Sequence, residues 1–321
     1  MVYVPVPWEA TVSYGGGSGY GPSAILKASR QVDLYDIDVL KPYESGLHML
    51  PEPENVVVWC RDARANAEKI IDVGGDLRGD KSLGDALAHV NELSGRLNRH
   101  VHSETARLLE KDKLVGVIGG EHSVPFGAIQ AVAERCDPFG ILHIDAHSDT
   151  RNAYEGFAWS HASLMRNVLE QIPKVKKVVQ VGVRDFCEEE FEYCLAQDER
   201  VRVWWDRDLA SRRFDGEGWS SIAKAIVEDL PQTVWISFDI DGLDPRFCPH
   251  TGTPVPGGID FDEANHLLSL LARSGRRILG FDLCEVAPGP SGEWDANVGA
   301  RLLYKLSAWA LASQGKASLR R

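Results

Sequence analysis

The stretch GILHIDAHSD, residues 140–149, decides how the chain is read. An apolar run ends there in Asp145, His147 and Asp149, one at every second position. Alternate side chains of a strand share a face, so this spacing predicts three ligand-type groups on one side of a strand end, provided the chain stays extended. His143 has the same parity and is expected to support the site or to sit in the core, with a direct role in the site as the lesser alternative. Working outward, the apolar run Thr233 to Phe238 ends in the same manner with Asp239 and Asp241. A lone aspartate after a strand more often caps a helix or closes a turn. The alternating triplet together with an Asp-x-Asp pair points instead to a metal site.

The rest of the chain supplies a frame for these two strand ends. Apolar strands are expected at about 114–118, 140–145, 177–182, 201–205, 233–239 and 277–283. They alternate with helix-compatible segments at 161–170, 219–230 and 261–273. That pattern predicts one α/β domain over 1–321, with a mainly parallel sheet covered on both faces. Val56 to Cys60 reads as a further buried strand, and 82–111 carries a helical stripe of Leu83, Leu87, Val90, Leu93, Leu97 and Val101. Residues 2–6, VYVPV, fit a strand near a sheet edge because of Pro5 and the Pro7 that follows. The glycine-rich Ser13 to Pro22 lacks phosphate-loop spacing and reads as a mobile loop leading into a helix near Pro22. In such sheets ligands bind beyond the carboxyl ends of the strands, and the polar clusters all fall there.

Composition narrows the partners. The chain of 321 residues has a net charge of −12, which argues against nucleic acid or an anionic membrane. Its six cysteines are scattered, so free thiols in a reducing cytoplasm are expected rather than a disulfide scaffold. The N-terminus does not resemble a signal peptide, and no apolar stretch is long enough to span a bilayer.

Charge then decides the chemistry. If Asp145, Asp149, Asp239 and Asp241 share a site, either their pKa values rise or cations bind. Two divalent ions cancel four negative charges. With His122 and His147 the set becomes oxygen-rich with some imidazole, which suits manganese, although zinc, cobalt or nickel also bind such ligands. A two-metal site lowers the pKa of water enough for hydrolysis at neutral pH without a serine or cysteine nucleophile.

The motifs GGEHS at 119–123, DAHSD at 145–149, SFDIDGLDP at 237–245, TGTPVPGG at 251–258 and EVAP at 285–288 resemble, in residues and order, the signatures of the ureohydrolase superfamily of arginases and agmatinases. PVPWEATVSYGGGSGYGPSAILKAS near the N-terminus and SHASLMRN at 160–167 are closer to the agmatinase-like branch. The resemblance implies a three-layer α/β/α fold with a roughly eight-stranded sheet, two Mn2+ per subunit (Ni2+ or Co2+ as substitutes), and a homotrimer or homohexamer. It implies that His122 binds one ion with Asp145, Asp149 and Asp239, while His147 and Asp241 bind the other, Asp145 and Asp239 bridging. His161 would shuttle protons, Glu285 would hold a guanidinium, and Thr253 would line the substrate pocket; with Asp149, His161 and Glu285 form the implied catalytic set. The implied reaction cleaves a guanidino compound to urea and an amine, agmatine to putrescine first among the options. Guanidinobutyrate or a related guanidino acid, free guanidine and arginine are alternatives, as are a catalytically silent relative and a binuclear phosphoesterase with Arg151 or Arg246 as its clamp.

Two positions depart from the pattern. Glu121 stands where the family usually has Asp, and a supporting role behind His122 is expected. Arg151 lies where a cation would repel an ammonium tail, unless a neighbour such as Glu155 neutralises it. His250 and Trp159, close to the motifs, are expected to narrow the pocket.

Overall fold

A computed structural model describes residues 1–290 and 293–320. Its strands are β1 Val2–Val6, β2 Val39–Leu40, β3 His48–Met49, β4 Val115–Gly119, β5 Phe139–Ile144, β6 Val175–Val181, β7 Val201–Trp204, β8 Thr233–Asp239, β9 Arg277–Cys284 and β10 Ser318–Leu319. Its helices are α1 Gly21–Ala28, α2 Glu54–Ile71, α3 Lys81–Leu109, α4 Phe126–Arg135, α5 Leu164–Gln171, α6 Glu188–Ala196, α7 Asp206–Phe214, α8 Trp219–Glu228, α9 Phe261–Arg273 and α10 Trp294–Ser313. Eight strands form one sheet in the order β3-β1-β4-β9-β8-β5-β6-β7, every pairing parallel. β2 and β10 make a separate antiparallel pair.

The central strands are apolar on both faces because helices cover both. Along β8, Val234, Ile236 and Phe238 enter one core with α8, α9 and α10, whereas Trp235 enters the other with α3, α4 and α5. The expected α/β/α layering follows from that alternation. Helix starts are marked locally. Asp80 accepts from the amides of Ser82 and Leu83 at α3, and Asp260 with Glu263 closes a capping box at α9.

Two expectations change and one holds. Val56 to Cys60 is not a strand but the first turns of α2, where Val56, Ala63, Ala67 and Ile70 make the buried stripe and Val58 is 61% exposed. Periodicity over the whole segment outweighs the β-propensity of a short valine run. β1 lies near the sheet edge as expected, one strand in: its outer partner β3 covers only Val2 and Tyr3, so Pro5 sits where that flank has no strand. The glycine-rich loop is tied down rather than free: Glu9 Oε2 accepts from the amides of Gly17 (2.6 Å) and Gly19 (3.1 Å), and the Gly15 amide donates to the Gly252 carbonyl.

The carboxyl ends of five adjacent strands, β4, β9, β8, β5 and β6, therefore share one rim. The segments after them cross closely. A Cβ on Gly120 would lie 2.0 Å from the Trp8 carbonyl oxygen, and one on Gly242 would lie 2.7 Å from the Asp145 nitrogen. Only glycine admits those crossings.

Candidate active site

Past Ile144 the chain leaves β5 and does not remain extended. The His147 amide turns back onto Asp145 Oδ1 (2.6 Å), and Asp149 takes a left-handed backbone, φ 54°. The triplet thus converges through a turn, not through continued strand alternation. After β8, Asp239 Oδ1 accepts from the Asp241 amide at 2.8 Å, and Asp241 Oδ1 accepts from the Ala146 amide at 3.0 Å. Each loop is turned by its own aspartate, and Asp241 ties the β8 loop to the β5 loop. Arg184, after β6, donates to the carbonyls of Gly182, Asp241, Leu243 and Val255 and so clamps the same loops from outside.

These turns bring the six expected ligands together. His122 Nδ1 lies 2.9 Å from Asp145 Oδ2, 3.2 Å from Asp149 Oδ2 and 3.4 Å from Asp239 Oδ2. His147 Nδ1 lies 3.1 Å from Asp241 Oδ2 and 3.4 Å from Asp145 Oδ1. His143, of matching parity, reaches Asp145 Oδ2 at 2.9 Å while its Nδ1 faces Gln180 Nε2. Behind His122, Nε2 meets Ser237 Oγ at 3.0 Å, and Ser237 donates to the buried Asp282.

One imidazole nitrogen cannot satisfy three carboxylates. Asp149 Oδ2 is buried with no hydrogen-bond partner. Burial, then Asp145, push Asp149 up to about 6, and burial with Asp241 and Asp145 push Asp239 well above the carboxylate range. Burial opposes protonation of His122 and His147, but the facing aspartates hold both well above the ordinary histidine value. A buried cluster with surplus carboxylate and imidazole acceptors fits divalent cations. Asp145 faces both histidines, so the donor set could hold two ions with Asp145 shared between them.

Beside the cluster is a cavity of about 200 Å³ lined by His122, His147, Asp149, Asp239, His161 and Glu285, with Ser13, Thr253, Arg151, Tyr154, Asp185 and Glu190 around its wall. A larger hollow of about 1040 Å³, at the amino ends of β4, β8 and β9, contains none of the candidate ligands. Glu285 also has a left-handed backbone, φ 61°, fixed by its amide on the Gly120 carbonyl and by Thr251 Oγ1 on its own carbonyl. Its Oε1 accepts from the His122 amide at 2.8 Å. Burial, then Glu121, push this carboxyl up to about 8, a position that a cation in the cavity would relieve. Burial, then His147 and Arg151, push His161 down to about 4, so the imidazole is neutral rather than poised near neutrality.

Glu121 does not contact the His122 ring through its carboxylate. Its Oε1 accepts from Trp8 Nε1 (3.1 Å), Thr11 Oγ1 (2.9 Å) and Ser123 Oγ (2.7 Å), and its Oε2 from the Thr11 amide (2.7 Å). Burial pushes it up to about 7 against the pull of these donors. Arg151 is partnered by Glu190, not Glu155: Nε donates to Glu190 Oε2 at 3.2 Å and the guanidinium lies 4.4 Å from the Tyr154 ring centre. Arg246 is likewise held by Asp260 and Asp244, which removes both candidate phosphate clamps.

Two expected pocket residues lie elsewhere. His250 donates its amide to Asp295 and sets Nδ1 against the same carboxylate, its ring packed on Gly289. Trp159 packs at a tilt against Phe126, 4.8 Å between centres, on the α3–α4 side. Sequence reading missed Thr11, Arg184, Asp185, Glu190 and Asp282. Asp185 and Arg184 follow β6 as Asp145 follows β5, so the strand-end rule could have found them; the others are brought in by contacts between distant segments.

The sequence profile described as "Arginase family" matches residues 1–308, and the chain belongs to that family. It is therefore a hydrolase of guanidino carbon–nitrogen bonds. Among its relatives, an N(1)-aminopropylagmatine ureohydrolase of Synechocystis is 32% identical, over 98% of this chain and 90% of the relative. A proclavaminate amidinohydrolase of Streptomyces clavuligerus is 34% identical, over 95% and 87%. The crystal structure of an agmatine ureohydrolase of Thermoplasma volcanium superposes with a TM-score of 0.73 at 23% identity, covering 98% and 91% of the two chains, and so shares the fold.

Proposed function

We propose that this protein hydrolyses a guanidino compound with a cationic tail, agmatine or its N1-aminopropyl derivative, to urea and the corresponding amine. The observation that carries the reading is the enclosure of Glu285 and His161 in one small cavity with the carboxylate–imidazole cluster. Two manganese ions held by His122, Asp145, His147, Asp149, Asp239 and Asp241, with nickel or cobalt as substitutes, would supply an acidified water and an electrophilic surface for developing negative charge.

The chain's own groups account for the rest. A guanidinium is planar and cationic with paired donors; the Glu285 carboxylate, fixed at its backbone and already bound to the His122 amide, binds it and orients its carbon toward the cluster. His161, held neutral, takes a proton at its free ring nitrogen and returns it to the departing tail amine, which leaves poorly without it. Thr253 lines the path of the tail.

Tail charge follows from which side chains remain free. Glu190 already neutralises Arg151, whereas Asp185, exposed at the cavity wall, has no cationic side chain within ion-pair distance among the described residues. The surplus charge at the wall is negative and suits an ammonium tail. The names of the Synechocystis and Thermoplasma relatives agree in substrate type. The six cysteines are free, and among the described residues no helix is long and apolar enough to cross a membrane; a cytoplasmic homotrimer or homohexamer is what we expect.

Urea release should be measured from agmatine, N1-aminopropylagmatine, guanidinobutyrate, guanidine and arginine after loading with manganese or, separately, nickel. The two cationic-tail compounds should be turned over at least about tenfold more efficiently, the equivalent of about 1.4 kcal/mol of discrimination. A preference for guanidinobutyrate would overturn the tail assignment, and no urea from any compound would overturn the substrate class.

A further inference from the structure

Thr11 lies on the segment that crosses the loop after β4, 150 residues before His161 in sequence, and meets it twice. Its Oγ1 accepts from the His161 amide at 3.1 Å and lies 3.2 Å from His161 Nδ1. The same oxygen lies 2.9 Å from Glu121 Oε1, itself faced by Trp8 Nε1 and Ser123 Oγ. A hydroxyl has a single proton. Trp8 Nε1 is a donor only, the Thr11 amide on Oε2 is a fixed donor, and Oε1 sits among groups that donate to it. With Glu121 Oε1 free of hydrogen, the Thr11 proton goes to it, and Thr11 Oγ1 then accepts from the histidine.

We propose that Thr11, with its hydroxyl oriented by Glu121, is a positioning residue that fixes His161 as its Nδ1–H tautomer and leaves Nε2 as the nitrogen free for proton transfer at the cavity. Because burial keeps His161 neutral, one ring nitrogen bears hydrogen and the other does not, so the choice of tautomer decides whether the cavity meets an acceptor or a donor. The amide contact sets the height of the ring and the Nδ1 contact sets its rotation. No protein group among the described residues hydrogen bonds Nε2, and His161 lines the cavity. Glu121 thereby acquires a defined role, since it reaches past His122 to the N-terminal segment and acts on the proton-transfer group on the other side of the site.

The consequence for rate rests on the guanidino-hydrolase reading, whereas the tautomer does not, so two measurements separate them. Nitrogen-15 histidine spectra of the protein without metal, with the His161 signals identified by their loss in His161→Asn, should show hydrogen on Nδ1. In Thr11→Val, which keeps the shape and removes the hydroxyl, that hydrogen should move to Nε2 in part or in full. With metal and a turned-over guanidino substrate, Thr11→Val should lower kcat about 10- to 100-fold with little change in KM and an unchanged metal content, and Thr11→Ser should restore most of it. Hydrogen on Nε2 in the wild type, or Thr11→Val with wild-type spectra, would overturn the proposal whether or not any substrate is found. Correct tautomers with equal kcat in Thr11→Val would overturn its link to rate, and a Thr11→Ser variant as slow as Thr11→Val would assign the effect to packing.

Discussion

Glu285 and Asp149 hold φ angles of 61° and 54°, a region that longer side chains enter at a cost, and both face the cavity. Strain and buried charge thus meet at Glu285, which identifies where the molecule gives up stability for its site. Because burial raises the folded pKa of Glu285 to about 8, its charge destabilises the fold once the pH passes the unfolded carboxyl value near 4.3. That penalty grows until the folded value is passed. In protein prepared without metal, Glu285→Gln should therefore have wild-type stability near pH 4 and be more stable by about 5 kcal/mol at pH 8. Denaturant unfolding at the two pH values checks this; an unchanged gap would show that the carboxylate is not disfavoured. The ligand-type residues were legible in the sequence because their types and spacing are local. Thr11 and Glu190 were not, since nothing near either one announces a partner 110 or 39 positions away.

At the scale of elements, strand ends were legible and the turns beyond them less so. β8 and α9 occupy the expected residues, because an unbroken apolar run and a capping box are strong local signals. The extended path expected through Asp149 is replaced by a turn, which the carboxylates of Asp145 and Asp241 build by accepting backbone amides. α6 matters in a way its sequence did not suggest: Glu190 in its first turn accepts from the Thr150 and Cys187 amides as well as from Arg151. If this pair is internally neutral, removing both charges in Arg151→Met with Glu190→Gln should leave the ratio of kcat/KM between agmatine and guanidinobutyrate within about threefold of wild type, less than about 1 kcal/mol. A swing of tenfold or more toward agmatine would show that Arg151 reads the tail.

Over the whole molecule, the parallel sheet places five adjacent carboxyl ends on one rim, so residues as distant as His122 and Glu285 meet without any local sequence signal of their contact. The layered fold was legible from alternating apolar strands and helices. Strand order was not, because it depends on which helix crosses which face. The central claim is that this rim is a two-metal site for guanidino hydrolysis. Its most direct test adds manganese stepwise to metal-free protein and follows bound metal per chain together with urea release from agmatine. Activity should rise until two ions are bound per chain, and His147→Ala should stop at one ion and lose nearly all turnover. Full activity at one ion or none, or no urea at two, would contradict the account.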